Sequence, residues 1–268
     1  MGDVFYKSVR FVGRFGFWCS SRPMIYVEPE TAGTTAGTSA GKTARGDGVP
    51  LTGACLVAAT HTSAYDVPLM MRQFSRHLDF VSITEVFKNP LVAWFYGNLN
   101  AFPLERARPD PKAVRVLMAR LERGRCVAMF PEGRFCPGAK SVVYSGQIKR
   151  GIGRISVLSG APIVPVVVVN SEAYKRFASW LPRFATRYGV AIGRPISPSE
   201  HAGNAEAIEA ALVAAFVRLH VAISARLGRQ MDPQLAGPAQ AGPAQAGPVR
   251  AQGHSKDEPG GTAAPPAA

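Results

Sequence analysis

The run Ile163-Val164-Pro165-Val166-Val167-Val168-Val169 is continuously apolar and rich in β-branched side chains, so it reads as a fully buried strand. Shorter runs of the same kind occur at Ala54–Ala59, Leu78–Ile83 and Cys126–Phe130, and Tyr188–Ile192 is expected to be a further strand. The residues between them follow a helical pattern. Val67–Phe74 is one helix, and Pro90–Leu99 is an aromatic helix or turn. Asp110 reads as an N-cap before Pro111 at the first helical position, Val114, Leu117, Met118 and Leu121 recur at helical spacing, and Gly124 stops that helix. Asn204 caps a last helix whose apolar stripe is Ile208, Leu212, Ala215, Leu219 and Ile223. Strands alternating with helices predict an α/β fold, a twisted and mostly parallel central sheet with flanking helices.

A chain of 268 residues with 47% hydrophobic content can bury one sizeable core, which favours one α/β domain with trimmings over two domains. The formal net charge of +13 calls for an anionic partner: nucleic acid, anionic lipid or a phosphorylated substrate. No nucleic-acid motif and no basic run accompanies the charge, so nucleic acid is not the expected partner. Cys19, Cys55, Cys126 and Cys136 are scattered without metal-ligand spacing, which reads as reduced thiols in a cytosolic setting and no zinc site.

The boundaries follow composition. Residues 1–29 are expected to form an amphipathic N-terminal helix associated with a membrane: Phe5, Tyr6, Val9, Phe11, Val12, Phe15, Phe17 and Trp18 interleave with Lys7, Arg10 and Arg14. Cations among aromatics suit a helix lying in the headgroup plane and are wrong for a signal-peptide core. The alternative of packing on the domain's own core is compatible with it. Tyr6 stands where a myristoylation signal wants Ser or Thr, which argues against a lipid anchor. No run of about 18 uncharged apolar residues predicts a transmembrane helix. Residues 30–50 read as a flexible Thr/Gly/Ala linker. Within it Ala36–Thr43 matches the loose form of a phosphate-binding loop, but the hydrophobic strand before and helix after that such a loop requires are missing. Residues 51–231 are the expected domain, and 232–268, with its repeated Ala-Gly-Pro-Ala-Gln, is expected to be disordered.

Chemistry concentrates at Ala59-Thr60-His61-Thr62-Ser63-Ala64-Tyr65-Asp66. A strand ending near Ala59 would hold His61 at the C-terminal edge of the sheet, where ligands bind in open α/β folds. Asp66, at the start of the next helix, can fold back on the imidazole, fix its tautomer and leave the other ring nitrogen as a general base. Three more blocks follow in order: Asn100-Ala101-Phe102-Pro103-Leu104-Glu105-Arg106, Phe130-Pro131-Glu132-Gly133-Arg134, and Gly160-Ala161-Pro162-Ile163-Val164-Pro165-Val166.

In order, content and spacing these blocks resemble the four motifs of the glycerolipid acyltransferases typified by 1-acylglycerol-3-phosphate acyltransferase, over roughly residues 50–200. The resemblance implies an O-acyltransferase that moves a fatty acyl group from an acyl thioester, coenzyme A or acyl carrier protein, to a lysophospholipid hydroxyl. It implies no metal and no cofactor beyond that co-substrate. His61 would be the base and Asp66 its partner. Arg106 and Arg134 would grip the acceptor phosphate, with Glu132 and Gly133 forming the turn beside them and Glu132 holding Arg134 or an acceptor hydroxyl. Pro165 would lie near the acyl site. The implied location is peripheral, on the cytoplasmic face of the cell membrane, with the bilayer itself as partner. Three positions depart from the family pattern: Thr60 replaces the usual Asn, Arg134 follows Gly133 directly where Glu-Gly-Thr-Arg is common, and Thr84 stands where many members have lysine. The alternatives are the same chemistry on an ornithine lipid, a glycolipid or lysophosphatidylglycerol, or a non-catalytic lipid-binding homologue.

Overall fold

The computed structural model describes residues 2–28, 53–105, 110–171 and 186–229. The expected linker and tail lie outside these residues. Among the described residues seven strands form one sheet: β1 (Ser21–Val27), β2 (Cys55–Ala59), β3 (Leu78–Ile83), β4 (Phe102–Leu104), β5 (Cys126–Met129), β6 (Ile163–Val169) and β7 (Thr186–Ile192). Their order is β1-β7-β6-β2-β5-β3-β4. Every neighbouring pair is parallel except β6–β7, which is antiparallel. The sheet is therefore mostly parallel, as the sequence predicts.

Alternation along the strands splits the core in two. Cys55, Val57 and Ala59 of β2 and Val164, Val166 and Val168 of β6 face one layer. That layer is closed by α1 (Gly2–Ser20), α2 (Asp66–Gln73) and α3 (Pro90–Asn98). Leu56, Ala58, Ile163, Val167 and Val169 face the other, closed by α4 (Pro111–Glu122), α5 (Val142–Ser145), α6 (Ile152–Ser159) and α7 (Ala205–Arg226). All seven residues of β6 are buried, as a central strand covered on both faces must be.

Asp110 caps α4 by accepting from the backbone nitrogens of Lys112 and Ala113, and Asn204 caps α7 in the same way. The α7 stripe Ile208, Leu212, Ala215, Leu219 and Ile223 is buried throughout. By length and composition α7 could cross a membrane, but its apolar stripe packs on β6 and β7. Close approach fixes the α6–α7 contact: a Cβ on Gly153 would fall 2.2 Å from the Ala205 carbonyl oxygen. Glu209 of α7 accepts from the backbone nitrogens of Gly151 and Gly153, serving donors that the start of α6 leaves without intrahelical partners.

The N-terminal segment corrects the expectation of one helix through residue 29. The helix ends at Ser20, and Ser21–Val27 turns into an edge strand paired in parallel with β7. Pro23 is tolerated there because an edge strand leaves one row of backbone groups unpaired. Near the other end of α1, Tyr6 is fully buried, and its hydroxyl accepts from the Leu78 nitrogen at the start of β3 (3.0 Å). Arg10 donates to the Ser75 carbonyl, so this cation also ties the helix to the domain. The opposite side of α1 carries Val4, Phe11, Val12 and Phe15, all exposed, with Phe11 at 72%. Phe5 packs edge-on against Trp94 and Phe95 of α3, which joins this face to a second exposed apolar segment. Cys55, Cys126 and Cys136 are free buried thiols.

Candidate active site

The C-terminal ends of β2, β5 and β6 lie side by side, and the turns that leave them carry the polar residues singled out in the sequence. Thr60 is held against β6: its backbone nitrogen donates to Val166, and its hydroxyl accepts from the Val168 nitrogen (3.3 Å). The threonine that replaces the family asparagine is thus a buried tie between strands. Beyond it, the Thr62 and Ser171 hydroxyls are bonded at 2.8 Å.

His61 Nδ1 lies 3.1 Å from Asp66 Oδ2. The same carboxylate oxygen accepts from the backbone nitrogens of Thr62 (2.7 Å) and Ser63 (2.9 Å), so the turn wraps around it. Asp66 is fully buried at the first position of α2, where the helix dipole favours a negative charge. With Nδ1 bonded to the carboxylate as a donor, Nε2 is the ring nitrogen left to accept a proton.

The turn after β5 closes on the same histidine. Glu132 Oε2 accepts from the His61 backbone nitrogen at 2.6 Å. Its other oxygen accepts from the Val142 nitrogen (2.7 Å) and the Ser141 hydroxyl (3.2 Å). This corrects the expectation that Glu132 holds Arg134 or an acceptor hydroxyl, because both oxygens are committed to the protein's own donors. Burial pushes the Glu132 carboxyl up to about 7, against the opposing pull of the Val142 and His61 N–H groups. Arg134 is exposed beside it.

Gly133 has φ +71°, and a Cβ there would fall 2.8 Å from Lys149 Cδ and 2.9 Å from Cε. The missing side chain lets the Lys149 stem cross the turn, while the Lys149 backbone nitrogen donates to the Pro131 carbonyl (2.8 Å). Lys149 enters the site only through this crossing. Its contact with Gly133 is visible only in three dimensions.

His61, Asp66, Glu132, Gly133 and Arg134 are therefore brought together. Arg106 lies outside the described residues. Pro165 pairs with Ala58 within the sheet, and its ring points to the α7 layer near Gly193 and Leu219, away from the His61 turn. Two residues that sequence reasoning did not single out are Phe130 and Phe135, whose rings lie against the His61 imidazole. Among the described residues no group of three or more His, Cys, Asp or Glu could hold a metal.

A mostly parallel α/β sheet with a carboxylate-oriented histidine at its C-terminal edge defines the class as an α/β domain built around one potential general base. Residues 42–169 match the family model described as Acyltransferase. A 1-acyl-sn-glycerol-3-phosphate acyltransferase of Bacillus subtilis is 25% identical over 130 residues, 48% of this chain and 62% of that protein. A chloroplastic 1-acyl-sn-glycerol-3-phosphate acyltransferase of Brassica napus is 24% identical over 119 residues, 44% of this chain and 33% of that protein. The chain thus matches less than two thirds of the length of either relative. The crystal structure of the 1-acyl-sn-glycerophosphate acyltransferase PlsC from Thermotoga maritima shares the fold, with TM-score 0.60 and 22% identity over 85% of this chain and 81% of that one. In sequence and fold the chain is thus similar to the glycerolipid acyltransferases.

Proposed function

We propose that the protein is an O-acyltransferase of phospholipid biosynthesis. In this reading it transfers a fatty acyl group from an acyl thioester, coenzyme A or acyl carrier protein, to the free hydroxyl of 1-acylglycerol-3-phosphate, giving phosphatidic acid. The observation that carries this reading is the His61 Nδ1–Asp66 Oδ2 contact at the strand edge, next to a glycine turn bearing Arg134. The names of the relatives support the acceptor.

The thioester is already activated, so no covalent enzyme nucleophile is needed. Nε2 of His61 takes the proton as the hydroxyl oxygen attacks the thioester carbonyl, and Asp66 stabilises the imidazolium. The tetrahedral intermediate collapses, the carbon–sulfur bond breaks, and the thiolate recovers the proton from His61. Base catalysis of this kind contributes on the order of 10²–10⁴ in rate. The planar guanidinium of Arg134 suits an acceptor phosphate, and Arg106 is assigned the same role from its motif.

Both substrates carry long chains, so the enzyme works at a bilayer, peripherally and on the cytoplasmic face. The exposed side of α1 and the adjoining Leu91, Trp94 and Phe95 of α3 supply apolar surface for this contact. Arg134 following Gly133 directly favours a second reading, the same transfer to an ornithine lipid, a glycolipid or lysophosphatidylglycerol. The intact His61–Asp66 pair argues against a non-catalytic lipid-binding role.

The deciding experiment is an acyl-transfer assay on membranes with a panel of lysolipids and both classes of thioester donor. Turnover with 1-acylglycerol-3-phosphate, lost in His61→Ala, is the expected result. No transfer to any acceptor would refute the enzymatic reading.

A further inference from the structure

The His61 imidazole is enclosed by one short stretch of chain. Phe130 stacks on it almost in parallel, with centroids 3.7 Å apart and planes at 13°. The Phe135 ring lies at 4.2 Å and 42°, and with one face of the imidazole taken by Phe130 a second ring this near has only the other side left to it. Between these two aromatics, Glu132 accepts from the His61 nitrogen, and directly after them the Cys136 nitrogen donates to the His61 carbonyl at 2.7 Å. Only 14% of the His61 side chain remains accessible.

Phe130 directly follows β5 and packs partly against the core, so its position follows from the fold. Phe135 does not share that explanation. It is 52% exposed, belongs to neither core layer and sits beside the exposed Arg134. Its ring meets the His61 imidazole.

We propose that Phe135 is a positioning residue for His61, closing the second side of the imidazole so that the ring is fixed against Asp66 and presents its Nε2 edge to the acceptor hydroxyl. This rests on the reading of His61 as the base. Two effects follow from the geometry. Confinement holds the ring in the orientation required for proton transfer, where small displacements reduce rates steeply. The electron-rich aromatic faces also attract the positive charge that develops on the ring as the proton arrives. Both act on turnover more than on acceptor affinity.

The test uses the full-length chain, with Phe135→Ala, Phe135→Leu and Phe135→Trp assayed on vesicles containing 1-acylglycerol-3-phosphate. The first two lose kcat by about 10-fold with little change in acceptor KM, and Phe135→Trp keeps most of the wild-type rate. Carbethoxylation of His61 by diethyl pyrocarbonate, followed by mass spectrometry, runs several-fold faster in Phe135→Ala than in wild type. Wild-type turnover in Phe135→Leu, a loss confined to KM, or an unchanged carbethoxylation rate would each overturn the proposal. A wild-type chain without acyl-transfer activity would instead overturn the parent reading, and the carbethoxylation rates would still decide whether Phe135 shields the ring.

Discussion

Glu132 Oε2 lies 2.6 Å from the backbone nitrogen of His61, so the turn after β5 holds the turn after β2 through a side chain and not through the sheet. Glutamine at position 132 keeps one oxygen where three donors need acceptors, and its amide hydrogens would face other N–H groups. An unsatisfied buried donor costs about 1–3 kcal/mol. Glu132→Gln is expected to lower stability by that order in urea denaturation and to reduce kcat through the displaced histidine. Unchanged stability would show that the three bonds contribute little.

The same carboxyl makes a prediction about pH. It titrates at about 7 in the fold against an ordinary 4.5. Between those values the folded chain keeps a proton that the unfolded chain releases, so the Glu132 contribution to stability falls as pH rises from about 4.5 to about 7 and is flat above. A displacement of this size corresponds to a change on the order of 3 kcal/mol across the window. Denaturation midpoints of wild type and Glu132→Gln over pH 4–8 should differ in slope only there.

Asp66 bonds to an imidazole nitrogen and two backbone nitrogens through one oxygen. Asp66→Asn removes the charge that stabilises imidazolium and is expected to cut kcat by roughly 10²-fold or more while the protein stays folded. Circular dichroism beside the transfer assay checks both halves of that expectation.

Gly133 adopts a left-handed φ of +71° with the Lys149 stem against its open side. Gly133→Ala costs about 1 kcal/mol for the backbone alone and also displaces Lys149 from the turn. The variant should melt lower and show a raised acceptor KM. Gly124, at φ +70° with nothing near its open side, is the control: Gly124→Ala should lose similar stability and keep the wild-type KM.

Much of the fold was legible because apolar runs report burial directly. Leu78–Ile83 and Ile163–Val169 are strands with the predicted bounds, and Asp110 and Asn204 cap where their side chains suggest. β1 was not legible. Ser21, Arg22 and Pro23 are poor strand residues, and the segment is a strand because β7 offers it an edge. The His61–Asp66 contact could be foreseen because five residues of separation keep the pair local. The role of Glu132 could not, since its partner is a backbone group 71 residues away and any side chain would have supplied that same N–H. Phe130 and Phe135 were missed for a related reason: an aromatic in a loop has no sequence periodicity to show which ring it will meet.

The route of residues 2–27 has a mechanical consequence. Tyr6 is tied to the start of β3, toward one edge of the sheet, and β1 is paired at the opposite edge. The roughly 20 Å of helix between them is a strut fixed at both ends and cannot swivel like a leash. Its outward side therefore meets any flat surface at an angle set by the sheet, and the cleft at His61 inherits that tilt.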